Sequence, residues 1–172
     1  MNLLKSPFAR ACIALAMLSV SALALAAPRV GQPAPTLKVT ELDGHAFDLG
    51  ALHGRVVLVN FWATWCPPCR TEIPALDAFY RSYHARGLEL IGVSADSPHD
   101  RGAVVKAARG FSYPAAMLSD ARVNGFGAPL VLPVTYVVDS SGVVRAVLRP
   151  DRTPVTASSL ADAVVPLLSK QN

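Results

Sequence analysis

Residues 55–61 form an unbroken β-branched and aromatic run, with Val56-Val57-Leu58-Val59 at its centre. A strand with apolar side chains in both directions has to be buried on both faces, so this run predicts a central strand of a covered sheet. From Pro67 to about Arg86 the apolar residues Ile73, Leu76, Phe79, Tyr80 and Tyr83 recur at helical spacing, and Gly87 supplies a stop. A second apolar stretch, Leu88 to Ser94, follows at once. Strand, helix and strand in that order predict a parallel β-α-β unit and therefore an α/β fold.

The flanking sequence fills in the sheet. Two short strands are expected at Thr36 to Thr40 and Ala46 to Leu49, joined by a hairpin turn at Asp43-Gly44. A helix over Asp100 to Arg109 stops at Gly110, and a brief strand covers Ala115 to Leu118. Thr135 to Val138 and Val143 to Leu148 flank the turn Asp139-Ser140-Ser141-Gly142, and a closing helix runs from Thr156 to Ser169, with Pro166 placed to end or bend its last turn. The expected architecture is a central mixed β-sheet with helices on both faces and an N-terminal β-hairpin extension. No repeat or linker divides the sequence after residue 26, so residues 27–172 are read as one domain.

Residues 1–26 read differently. Lys5 and Arg10 precede an apolar run from Ala11 to Ala26, and Ala24-Leu25-Ala26 provides small residues at the spacing of a signal-peptidase site. This predicts an export leader cleaved after Ala26, or retained as an inner-membrane tether; a full span needs roughly 20 apolar residues. Cys12 lies within the leader, where Ala9-Arg10-Ala11 makes a poor lipidation motif. Without the leader the chain carries 14 basic and 12 acidic residues, a net charge near +2 that points to no nucleic-acid partner. Export implies a periplasm or comparable compartment, where an exposed dithiol is oxidised unless something reduces it.

Between the predicted strand and helix stands Trp65-Cys66-Pro67-Pro68-Cys69, and these two cysteines are the only ones left once the leader is removed. Cysteines at i and i+3 across a helix start approach within disulfide distance, and the first meets the backbone N–H groups and helix dipole that stabilise a thiolate. Cys66 is the expected attacking thiol and N-cap, and Cys69 the more buried resolving thiol. Pro67 suits the first helical position. Pro68 removes the second donor, leaving chiefly the Cys69 N–H for the sulfur. Weaker thiolate stabilisation favours the disulfide and thus a reducing role. Half a zinc site is the alternative reading of C-x-x-C, but no second C-x-x-C or histidine pair completes it.

The stretch Leu58-Val59-Asn60-Phe61-Trp62-Ala63-Thr64-Trp65-Cys66-Pro67-Pro68-Cys69-Arg70-Thr71-Glu72-Ile73-Pro74 resembles the active-site signature of the thioredoxin-like fold, and more narrowly the TlpA/ResA/DsbE branch of exported thiol-disulfide oxidoreductases. The resemblance extends from Gly31-Gln32-Pro33-Ala34-Pro35 to the Asp139–Gly142 turn. It implies three roles beyond the cysteines. Glu72, one turn after Cys69, would tune the thiols and move protons, the more so because Asn60 stands where thioredoxins carry a buried aspartate. Pro133 would be a cis-proline facing the dithiol, a better fit than Pro129, and the backbone of Leu132 before it would pair with an extended substrate. Trp65, Pro67 and Pro68 would form the contact surface for partners, Trp62 would be core, and Pro74 would kink the first helix.

The expected function is reduction of disulfides in partner proteins by a monomer that uses no cofactor beyond its own Cys66–Cys69 couple. The resemblance implies haem-site cysteines of apocytochrome c or copper-delivery proteins as substrates, and a membrane reductase as electron donor. Three alternatives use the same residues: a dithiol oxidase running in reverse, a peroxidase with Thr64 before its cysteine, and a Cu(I)-binding module built on the two thiolates. His45, His53, His84 and His99 share no ligand spacing and are expected at the surface, as are Arg70, Arg81, Arg86, Arg101 and Arg109.

Overall fold

The expected central strand is Val56–Trp62 (β3), and every one of its 7 residues is buried. The structure is a computed structural model and describes residues 28–168, so the leader and Cys12 lie outside the described residues. Around β3 the chain places β1 (Leu37–Glu41), β2 (Ala46–Asp48), α1 (Pro67–Tyr83), β4 (Leu88–Ser94), α2 (Arg101–Ala108), β5 (Ala115–Asn124), β6 (Val134–Val138), β7 (Val144–Leu148) and α3 (Ala157–Leu168). The strands form one sheet in the order β2-β1-β5-β4-β3-β6-β7. β3, β4 and β5 run parallel, while β6, β7, β1 and β2 add antiparallel neighbours, so the sheet is mixed. This is the thioredoxin-like fold with its N-terminal hairpin, as expected.

Helices on both faces were expected, and the structure corrects this. Val57, Val59 and Phe61 point into a cluster with Leu37, Ile91, Phe126 and Tyr136 to which no α-helix contributes. Val56 and Leu58, on the other face, pack against Leu76, Phe79 and Tyr80 of α1 and Leu160 and Val164 of α3. Val104 of α2 joins Trp62 and Met117 on that same side. The cause is the direction of the crossovers. β3-α1-β4 and β4-α2-β5 step the same way along the sheet, and right-handed parallel crossovers that do so deliver both helices to one face. Leu49 in a short 3-10 turn, Leu52 and Ala34 cover the opposite face instead.

Two boundaries moved by more than one residue. The strand expected at Ala115 to Leu118 runs on to Asn124, because its polar second half pairs with β1 through two register shifts. Main-chain pairing there needs no apolar alternation. α1 ends at Tyr83, and a 3-10 turn over His84–Arg86 leads to Gly87, whose φ of +97° suits glycine and closes the helix. α3 continues through Pro166 to Leu168.

Candidate active site

β3 ends at Trp62, and its carbonyl accepts the Ala95 N–H at 2.8 Å, the last rung between β3 and the segment after β4. The indole of Trp62 is buried over Gly92, where a Cβ would stand 3.2 Å from its Nε1. Trp62 thus forms the floor for Cys66 and Cys69, which share its cluster with Met117 and Val104. The chain then turns through Ala63, Thr64 and Trp65 into α1.

Cys66 is the N-cap of α1, with extended backbone angles of φ −92° and ψ 106°, and Pro67 and Pro68 occupy the first helical turn. Its sulfur is bonded to that of Cys69, with the two Cα atoms 5.3 Å apart, and accepts the Cys69 N–H at 3.2 Å. One backbone donor therefore reaches the sulfur, as the proline pair predicted. Both cysteines are buried as residues, but only Cys66 lines an apolar groove of about 510 Å³. Cys69 sits beneath it.

Trp65, at 62 % exposure, Pro67 and Pro68 form one wall of the groove, and Pro129, Leu130 and Leu132 form the other. The Leu132–Pro133 peptide is cis, as expected, and Pro133 is buried where it leads into β6. The main chain of residues 130–132 makes no hydrogen bond among the described residues. Leu130 is fully exposed at the rim. Trp65, Pro67, Pro68 and Leu132 thus line the groove with Cys66, as does Pro129, while Pro133 is not among the lining residues.

Glu72 lies one turn below Cys69 on the buried stripe that continues to Leu76. Its Oε1 accepts the Val155 N–H at 3.1 Å, and its Oε2 is buried without a hydrogen-bond partner. No hydrogen bond joins it to either sulfur. Burial raises its carboxyl above the ordinary glutamate value, and the Val155 N–H offsets only part of this. Nearby in the sheet, Asn60 donates to Thr135 Oγ1 at 2.9 Å, and its Oδ1 is likewise buried and unpartnered.

One residue was missed in the sequence. Asp96, 4 % exposed, accepts the Thr64 N–H at 2.9 Å, the Thr64 hydroxyl at 2.5 Å and the Ser94 hydroxyl at 2.6 Å. The signal was a Ser-x-Asp at the C-terminal end of a parallel strand, where sites in α/β sheets gather. Of the expected surface cations, Arg70 donates to the Thr64 carbonyl at 3.0 Å, Arg101 pairs with Asp120, Arg81 with Asp77, and Arg86 stacks over Tyr83. His45 is exposed, as expected, and lies near Glu41 and Asp43 at the β1–β2 turn.

Residues 30–147 match the AhpC/TSA family model. The thiol-disulfide oxidoreductase ResA of Geobacillus kaustophilus is 33% identical over 121 residues, covering 69% of this chain and 68% of the relative. ResA of Bacillus thuringiensis is 32% identical over 116 residues, covering 67% of each. Among solved structures, a thiol:disulfide interchange protein of the thioredoxin family from Chlorobium tepidum matches with a TM-score of 0.65 at 29% identity, over 83% of this chain and 99% of that one.

Proposed function

Since the chain belongs to the AhpC/TSA family and is a TlpA/ResA/DsbE-like thiol-disulfide oxidoreductase, we propose that it works outside the cytoplasm as a reductase of disulfides in partner proteins. The observation that carries this reading is the Cys66 sulfur, which lines an open apolar groove and receives a single backbone N–H. A poorly capped thiolate gives up its electrons readily, and the couple rests as a disulfide.

The cycle follows from the placement of the two sulfurs. The Cys66 thiolate attacks one sulfur of a substrate disulfide aligned along residues 130–132, forming a mixed disulfide and releasing the first substrate thiolate. Cys69, beneath the groove, then gives up its proton and attacks Cys66 Sγ. The Cys66–Cys69 bond forms, the mixed disulfide breaks, and the second substrate thiolate leaves and is protonated. Glu72, raised in pKa by burial and carrying an unpartnered oxygen, is the group suited to take the Cys69 proton. Trp65, Pro67, Pro68, Leu132 and Pro133 hold the substrate segment, and no cofactor beyond the cysteine pair is required.

The groove walls carry no charged side chain, which suits an extended, uncharged cysteine-bearing segment such as a haem-site or copper-site motif. A membrane reductase would return two electrons to the couple, and the leader over residues 1–26 would take the protein to the periplasm, free or tethered. The domain over residues 27–172 would act as a monomer. The Thr64 hydroxyl donates to Asp96 rather than toward Cys66, and turnover of hydrogen peroxide would support the peroxidase alternative.

The test is the midpoint potential of the Cys66–Cys69 couple in thiol/disulfide buffers. A value near about −270 mV is expected for a reductase, and one near about −120 mV would make the protein an oxidant and overturn the direction.

A further inference from the structure

We propose that Asp96, acting through Thr64, is a positioning residue that keeps Cys66 at the helix N-cap once the disulfide has opened. This deepens the reading of the dithiol as the reactive centre and rests on it.

The ladder between β3 and the segment after β4 ends at the Trp62 carbonyl. Beyond it the chain must cross from the sheet to α1 with no strand beside it, and Cys66 lies four residues on. Asp96 takes over where the ladder stops. Its two oxygens bind both the N–H and the hydroxyl of Thr64, and Ser94 steadies the carboxylate with its hydroxyl while accepting the Asp96 N–H at 3.1 Å. The third polar group of Thr64, its carbonyl, is held by Arg70 on α1. Thr64 is thereby tied to the β4 end on one side and to the helix on the other.

Burying a carboxylate is costly unless hydrogen bonds satisfy it, and three donors do so here. The arrangement matters most in the reduced protein. While the disulfide is closed, the bond to Cys69 itself fixes Cys66. When it opens, Cys66 is retained at the cap by its own N–H to the Ala63 carbonyl at 3.2 Å and by the clamped Thr64 two residues upstream. The Cys69 N–H can cap the thiolate only if Sγ stays within reach. A loose Thr64 would let Sγ drift from its single donor, leaving a weaker thiolate and a slower nucleophile. The charged groups around this segment are Asp96 after β4 and Arg70 and Glu72 on α1; the groove walls from β5 and residues 128–132 add none.

The experiment measures the rate of iodoacetamide alkylation of Cys66 across pH in the reduced, otherwise intact protein, beside its thermal midpoint. Thr64→Val keeps the side-chain shape and removes the hydroxyl bond. Its alkylation rate at neutral pH should fall about fivefold, the worth of one ordinary hydrogen bond, with the pH profile displaced upward. Thr64→Ser should restore the original profile. Asp96→Asn, whose amide oxygen can take the Thr64 N–H while its NH₂ donates to the Thr64 hydroxyl, should lie closer to the original than Thr64→Val does. A Thr64→Val protein that loses heat stability but keeps the alkylation profile would overturn the proposal, as would a Thr64→Ser protein no better than Thr64→Val. Alkylation is independent of partner reduction. A protein that follows these profiles yet reduces no protein disulfide would sink the functional reading and leave the clamp standing.

Discussion

Helix α1 buries two carboxylates to nearly the same depth, Glu72 at 6 % exposure and Asp77 at 7 %, and they are driven in opposite directions. Burial pushes Asp77 upward, but the N–H and hydroxyl of Ser112 and the Arg81 guanidinium outweigh it and hold its carboxyl below the ordinary range. Burial pushes Glu72 upward too, and the lone Val155 N–H does not reverse it. Burial acts upward on both acids, and the donors aimed at Asp77 outweigh it while the single donor at Glu72 does not. Asp77 is a fixed anion that fastens α1 to the loop before β5. Glu72, one turn from Cys69, keeps a raised pKa and one buried oxygen without a partner.

The contrast can be broken most directly at Asp77. Asp77→Ala removes the acceptor for both Ser112 donors, and urea unfolding should show a loss of about 2 kcal/mol. Glu72→Gln, which keeps an oxygen for Val155, should cost less. Reaction rates should reverse that order. Glu72→Gln is expected to slow resolution of the mixed disulfide at least about tenfold in stopped-flow measurements, the lower edge of what a positioned base contributes, whereas Asp77→Asn stays near the parent. Equal rates for the two variants would assign the Cys69 proton to another acceptor.

The pH dependence of stability gives the smallest effect and the sharpest sign. The pKa of Asp77 is depressed, so its stabilisation is present above its unfolded value of 3.8 and is lost as pH falls through the lower folded value. The deficit of Asp77→Asn should shrink below that pH. The pKa of Glu72 is raised, so its contribution is complete below its unfolded value of 4.5 and is lost as pH rises through the folded one. Above pH 4.5, Glu72→Gln should gain on the parent. Parallel curves for the two variants would erase the distinction.

Local chemistry made much of this legible in the sequence. The apolar run of β3, the proline pair after Cys66, the exposed Trp65 and the cis bond at Pro133 stand as expected because adjacent residues determine each or a family motif carries it. What stayed hidden depends on contacts made across long stretches of chain. Asp96 meets Thr64 across 32 residues, and Glu72 meets Val155 across 83, so no spacing rule joins either pair. The polar half of β5 carries no alternation because main-chain bonds to β1 hold it. The one-sided helical layer follows from strand order, which the hydrophobic pattern of single strands does not encode.

Pro74 lies inside α1 and has no N–H to offer the Arg70 carbonyl. The helix nonetheless runs unbroken from Pro67 to Tyr83, with Leu76, Asp77, Phe79 and Tyr80 buried behind the proline. The turn that carries Cys66 and Cys69 is therefore one rung short of a full ladder yet rooted in the core through the shaft behind it, a tip braced by its handle.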